Sequence, residues 1–321
     1  MKKKTLTKIV AAVLTAVLIV VLLSQITLYD IATTLTSIDP VYIIIGFILY
    51  LYTYFFRALR FHILLSNKVN LKDLFSIVCV HNMANNILPA RTGELSYVYL
   101  AKKLHNIPIG EGVASLMVAR VLDFITISFL FFLSTIFIRD LPDEVSTLIW
   151  LIAGLLAVVL LLFLALVFFD EIVVEKIRRV ANRFNALRFS LVQYLLRKGD
   201  ETVLSFKLMK SRKLFGKVFV VSLAVWCFQY SMLYILANAM GISLTIWCML
   251  FALTFVFFTS VLPIQTLGGF GIIEGGWALG FMVMGVPKEL AISSGFCFHV
   301  ILYLYFLILG LYGGLTLKSQ T

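Results

Sequence analysis

The chain is short of charge. Asp, Glu, Lys and Arg make up only 13% of its 321 residues, against about 25% in an ordinary soluble domain. That excludes a large soluble enzyme body, whose surface needs charge to stay in water. Cysteine is also sparse: Cys79, Cys227, Cys248 and Cys297 lie in or beside apolar segments, with no CxxC spacing and no paired histidine. A zinc site is therefore not expected, and the thiols read as small apolar packing residues. The four histidines, His62, His81, His105 and His299, are scattered, and HExxH is missing. Gly268-Gly269-Phe270-Gly271 lacks both the strand context of a dinucleotide loop and the Lys-Ser/Thr of a P-loop. With no nucleophile–base pair or ATP site, neither metal nor cofactor is expected.

What the chain has in abundance is apolar residues, at 61%. They fall in one long run after another, each comparable to the roughly 20 residues that span a hydrocarbon core. The net charge of +11 then points to cytoplasmic loops beside anionic lipid rather than to nucleic acid. The N-terminus starts like a signal peptide, with Lys2, Lys3, Lys4 and Lys8 before an apolar stretch from Ile9 to Leu23. No small-x-small cleavage site follows, which predicts a retained signal-anchor helix.

Six full spans are predicted, over 8–25, 40–58, 112–138, 145–169, 214–239 and 289–315. Two apolar segments differ. Residues 74–88 run straight into Pro89-Ala90-Arg91-Thr92-Gly93-Glu94, and 245–262 into Pro263 and a cluster of glycines. As helix, 74–88 would reach about 22 Å, short of a core of about 30 Å. Both segments therefore read as re-entrant hairpins, tolerated at membrane depth only when buried in protein or lining a polar cavity. With both termini in the cytoplasm, all of the 27 basic residues except Arg91, Arg120, Arg139 and Lys288 fall inside, as the positive-inside rule requires.

The two halves match in inverted order: span 40–58, hairpin 74–101, span 112–138, then span 214–239, hairpin 245–286, span 289–315. Leu88-Pro89 before Gly93-Glu94 is echoed by Leu262-Pro263 before Gly271 and Glu274. The expected fold is an all-α integral membrane protein, with about six full transmembrane helices and two re-entrant hairpins in an inverted pseudo-repeat. It forms a single polytopic domain over 1–321 in the cell membrane. Loop 170–213 alternates apolar and basic residues; it is either an amphipathic helix on the cytoplasmic leaflet or a solvated connector.

Ionisable residues at membrane depth are expensive and mark pathways or internal pairs. Arg120 and Asp123, three apart on one helix face, form either an ion pair with each other or a head-group site in which Asp123 restrains Arg120. Thr126 continues their stripe. Arg91 and Glu94 sit at the first hairpin's break, where Thr92 is a candidate N-cap and Gly93 permits a tight turn. There Glu94 either caps the returning helix or joins Arg91 in an anion site. Glu274 holds the matching place in the second hairpin. His81, Asn82, Asn85 and Asn86 either line a polar cavity or satisfy the broken backbone. Arg57 and Arg60 end a span and are either snorkelling cytoplasmic anchors or contacts for a lipid phosphate.

Arg57-Ala-Leu-Arg60, Asn86-Ile-Leu-Pro89-Ala-Arg91-Thr-Gly93-Glu94, Arg120-Val-Leu-Asp123 and Pro263…Gly268-Gly269-Phe270-Gly271…Glu274 together resemble the transmembrane region of lysylphosphatidylglycerol synthases (the multiple peptide resistance factor family) and its stand-alone, flippase-like relatives. The resemblance covers nearly the whole chain. It implies a membrane part that moves a lipid between leaflets; in full-length synthases a separate cytoplasmic domain makes the aminoacylated lipid. This sequence ends at Thr321, just after its last span, so phosphatidylglycerol lysyltransferase activity is not expected. Archaeal relatives found beside or fused to polyprenyl-phosphate glycosyltransferases extend the implied substrates to lipids of that kind.

The first expectation is a non-enzymatic lipid translocator working without ATP on a phospholipid or polyprenyl-phosphate-linked lipid, with Arg91, Glu94, Arg120, Asp123 and Glu274 as its central polar site and Asn86, Arg57 and Arg60 beside it. The alternative is a membrane anchor or accessory subunit of a lipid-modifying or glycosyl-transferring enzyme. Anionic membrane lipids are the expected partners.

Overall fold

The structure is a computed structural model that describes residues 15–88, 93–138, 171–183, 214–261 and 266–319, with isolated positions outside these ranges. Helices α1 (Thr15–Leu23) and α2 (Leu28–Thr36) meet at 82°. They are followed by α3 (Pro40–Leu64), α4 (Leu71–Ile87), α5 (Glu94–His105) and α6 (Ile109–Phe137), then α7 (Glu171–Arg183). The second half contains α8 (Phe215–Ala239), α9 (Ile246–Val261), a 3-10 turn at Leu267–Gly269, α10 (Ile272–Val283) and α11 (Lys288–Lys318). Among the described residues there is no strand.

Local chemistry sets these boundaries. Thr27 and Asp30 cap α2 reciprocally, Asp39 caps α3 with Pro40 as its first residue, and the Asn70 side chain accepts the Asp73 N–H at the start of α4. Asn106 ends α5 in the left-handed conformation at φ 55°, and Pro108 starts α6.

Four helices, α3, α6, α8 and α11, are long and apolar enough to cross a membrane, and the bent α1–α2 pair makes a fifth if it counts as one span. Their outer faces carry Val41, Ile44, Ile48 and Phe55 on α3 and Val300, Leu304, Leu311 and Leu315 on α11, all exposed. Buried polar residues such as Arg60, Asp123, Glu274 and His299 lie inside. Apolar outside and polar inside is the arrangement that a hydrocarbon solvent selects. The expected span 145–169, the turn at Arg139–Glu144 and most of loop 170–213 lie outside the described residues; within that loop, α7 is helical and carries the exposed ion pair Arg179–Glu175 at 2.7 Å.

The predicted span 40–58 runs on to Leu64, which places Arg57 and Arg60 inside the helix rather than at its end. Helix α3 packs along α8 in antiparallel register: Gly46 faces Leu236, Phe56 stacks on Phe228 and Arg60 reaches Ser222. Helices α4 and α5 fold back on each other as a hairpin, whose open end is closed by Asp73–His105 at 3.4 Å and Lys68–Glu111 at 2.6 Å. Helices α9 and α10 pack together likewise, with Gly280 against the Ala252 carbonyl. Helix α4 lies along α11, and α9 lies along α6. The 3-10 turn before α10 touches α4, so the second helix break packs against the first hairpin.

Candidate functional site

The polar interior is built where α3, α4, α5, α6 and α8 converge. Helix α6 supplies two charges one turn apart. The expected Arg120–Asp123 pair does not form, because each residue is drawn to a different neighbour. Asp123 turns towards α3 and accepts both ends of the Arg60 fork, Nη1 at 2.6 Å and Nη2 at 3.2 Å. The indole N–H of Trp226 on α8 donates to the same carboxylate at 2.9 Å, and Arg60 Nη1 also reaches Ser222 Oγ at 3.3 Å. Two parallel N–H···O bonds in a buried setting fix geometry as well as charge. Arg60 is 3% exposed. It is therefore not a snorkelling anchor: its guanidinium joins α3, α6 and α8.

Arg120 turns to α5 and meets Glu94 at 2.9 Å. This pair is more open, with the Arg120 side chain 36% and the Glu94 side chain 22% exposed. Thr126, expected to continue a polar stripe, instead donates to the Leu122 carbonyl of its own helix. Arg91 and Thr92, with Pro89 and Ala90, lie outside the described residues.

Gly93 is not the tight turn expected of it. Its φ is −59°, an ordinary helical value. A Cβ there would fall 2.3 Å from the Asn85 backbone nitrogen. Glycine is needed because the two arms of the hairpin touch backbone to backbone. His81 reinforces the crossing, its Nδ1 hydrogen-bonding the Gly93 carbonyl at 3.0 Å. The Asn86 side chain donates to the Asn82 carbonyl within α4, at 2.8 Å. Arg57 donates to Asn82 Oδ1 at 3.3 Å.

Glu274 forms a second centre with a different partner. Its Oε2 accepts the Gly271 N–H at 2.8 Å, and its Oε1 shares a 2.7 Å hydrogen bond with His299 Nδ1 on α11. Both side chains are fully buried. The preceding glycines are conformationally required: Gly268, Gly269 and Gly271 all have φ between 64° and 83°, a region closed to most side chains. Tyr303 donates to the Gly268 carbonyl, and Phe270 packs over His299.

Sequence reasoning missed His299, Trp226 and Ser222. His299 carried a signal: an imidazole in the apolar run 289–315 belongs with the intramembrane ionisable residues. Trp226 and Ser222 carried none, since neither is unusual in a membrane helix. Among the described residues, no cluster of His, Cys, Asp and Glu suits a metal ion.

Comparison with known proteins places this site in a family context. A UPF0104 membrane protein of Methanocaldococcus jannaschii is 24% identical over 334 aligned positions, covering 100% of this chain and 98% of that protein. A UPF0104 membrane protein of Methanothermobacter thermautotrophicus is 22% identical over 91% of this chain and 88% of its own length. The glycosyltransferase AglD of Haloferax volcanii is 28% identical over 130 residues, 38% of this chain and 21% of that protein. No solved structure matches significantly. The family described as the lysylphosphatidylglycerol synthase TM region matches residues 8–310, and this multi-pass membrane protein belongs to it.

Proposed function

We propose that the protein is a lipid translocator in which a head group enters the polar interior between α3, α5 and α6 while its tails stay in the bilayer. The observation that carries this reading is the Arg120–Glu94 pair. It joins the start of an interrupted helix to a full span and stays partly open, whereas the neighbouring Arg60–Asp123 pair is sealed. Interrupted helices whose ends face polar groups characterise many transporter sites.

The contact pattern supports an inverted repeat. Helices α3 and α8 pair antiparallel; α4 lies on α11 as α9 lies on α6; α5 contacts α6 as α10 contacts α11. In this reading both hairpins are re-entrant, both termini are cytoplasmic in the cell membrane, and the chain catalyses no covalent step.

Reconstitution tests it directly. Proteoliposomes of the purified protein should move a labelled lipid between leaflets, and Arg120→Gln or Glu94→Gln should abolish movement in a protein that remains folded. Wild-type vesicles no faster than protein-free ones, for phospholipid and polyprenyl-phosphate alike, would refute translocation. They would leave the second reading, a membrane subunit for a glycosyl-transferring enzyme, which the partial match to a glycosyltransferase favours. Co-purification with such an enzyme is its test.

A further inference from the structure

Among the described residues, the charges of the polar interior do not balance. Three arginines, Arg57, Arg60 and Arg120, lie on α3 and α6. Two carboxylates answer them: Asp123 is bonded to Arg60 and Glu94 to Arg120. Glu274 is engaged with His299. Among the described residues no carboxylate lies within ion-pair distance of Arg57, whose side-chain hydrogen bond is to the neutral Asn82 Oδ1.

The unmatched charge coincides with unmatched hydrogen-bonding capacity. Among the described residues, the donors Arg57 Nε and Asn82 Nδ2 are buried and have no partner, and Asn82 as a whole is only 6% exposed. Buried polar atoms are nearly always satisfied, and an unpaired cation at membrane depth is costly. A ligand that removes both deficits is an anion with several oxygens. A phosphate does so: its oxygens accept from guanidinium and amide N–H groups, and a planar guanidinium matches it in two-point geometry.

We infer that Arg57 and Asn82 form the seat for the phosphate of a lipid whose head group carries net negative charge. This inference rests on the reading of the interior as a lipid site and narrows its substrate class. A polyprenyl monophosphate and an anionic glycerophospholipid such as phosphatidylglycerol both qualify by this chemistry. A lysyl-esterified phosphatidylglycerol, whose added amines make the head group net cationic, does not suit an interior already positive.

The test is lipid binding by the purified full chain in neutral nanodiscs, read by native mass spectrometry. The probes are a polyprenyl monophosphate, phosphatidylglycerol and lysyl-phosphatidylglycerol. At least one anionic probe should bind about tenfold or more tighter than the lysyl form, and Arg57→Gln should remove that preference. Whichever anionic probe binds identifies the source of the phosphate. The decisive variant is Asn82→Asp, which keeps shape and supplies Arg57 with a built-in counterion. It should melt no lower than wild type yet bind the anionic lipid about tenfold more weakly, since one charge-assisted contact is replaced by internal pairing. A merely structural Arg57 would show the first effect without the second. Unchanged binding in a folded Asn82→Asp protein, or lysyl-phosphatidylglycerol bound as tightly as the anionic probes, overturns the inference. Selective anion binding without lipid movement in vesicles would keep this seat and remove the translocator reading instead.

Discussion

Removing one charge of the Arg60–Asp123 pair perturbs the protein at a buried arginine–carboxylate contact. Asp123→Asn keeps the side-chain shape and still offers an oxygen to the Trp226 indole and Arg60 Nη1, while it removes the charge and the acceptor of Arg60 Nη2. What remains is Arg60, 3% exposed, facing an amide and the Ser222 hydroxyl. Breaking a buried pair from one side costs about 3–5 kcal/mol. At about 2 °C per kcal/mol, the lower end for large domains, the melting temperature should fall by about 6–10 °C. Arg60→Gln should cost a similar amount, because it strands Asp123. The double variant Arg60→Gln/Asp123→Asn should melt no lower than the worse single variant, since it leaves no unpaired charge. Thermal unfolding of the four proteins in one detergent or nanodisc completes the cycle. Single variants that melt with wild type, or strictly additive losses in the double variant, would refute the pair as a structural joint.

Other predictions separate stability from transport. Arg120→Gln breaks a partly exposed pair, so its stability loss should stay below about 1 kcal/mol while lipid movement in proteoliposomes stops; a large melting shift with transport retained would reverse the roles given to the two pairs. Gly93→Ala must push α4 and α5 apart, and overpacking of this kind costs about 1–3 kcal/mol; a melting temperature equal to wild type would show that the arms are not in backbone contact. Glu274→Ala strands both His299 and the Gly271 N–H, for a loss of about 1–3 kcal/mol per buried unsatisfied group, measurable by the same unfolding assay. Single cysteines near residues 30 and 142 should react with an impermeant reagent in intact cells, and one near 190 should not; labelling near 190 would invert the proposed topology.

The helices were legible in the sequence because apolar length and Pro/Gly interruption are local properties. The break after Ile87 followed from a segment too short to span and that after Val261 from Pro263 and the glycines beyond it, and the ends of α6, α8 and α11 fall within a few residues of expectation. The ion-pair partners were not legible. Arg120 and Asp123 stand one turn apart, and spacing alone pairs them; only the approach of α3 from one side and α5 from the other divides them. Arg60 looked like an anchor because hydropathy declines after Phe56, although α3 continues to Leu64. Glycine was recognised at Gly93 for the wrong reason: a sequence signals that a side chain is missing there, not whether torsion or contact requires it.

The glycines at helix crossings also determine which parts of the bundle travel together. Gly310 and Gly313 on α11 sit so close to α4 that a Cβ would meet Met83 at one and the Ser76 carbonyl and Cys79 at the other. Gly280 keys α10 to α9 in the same manner, against the Ala252 carbonyl. Advancing either pair by one residue along the helical screw, about 1.5 Å with a turn of about 100°, would drive a branched side chain such as Leu309 or Leu279 into a gap sized for hydrogen. Each pair is thus locked in register, like a key in its slot. Any opening of the interior must therefore carry α4 together with α11, and α9 together with α10.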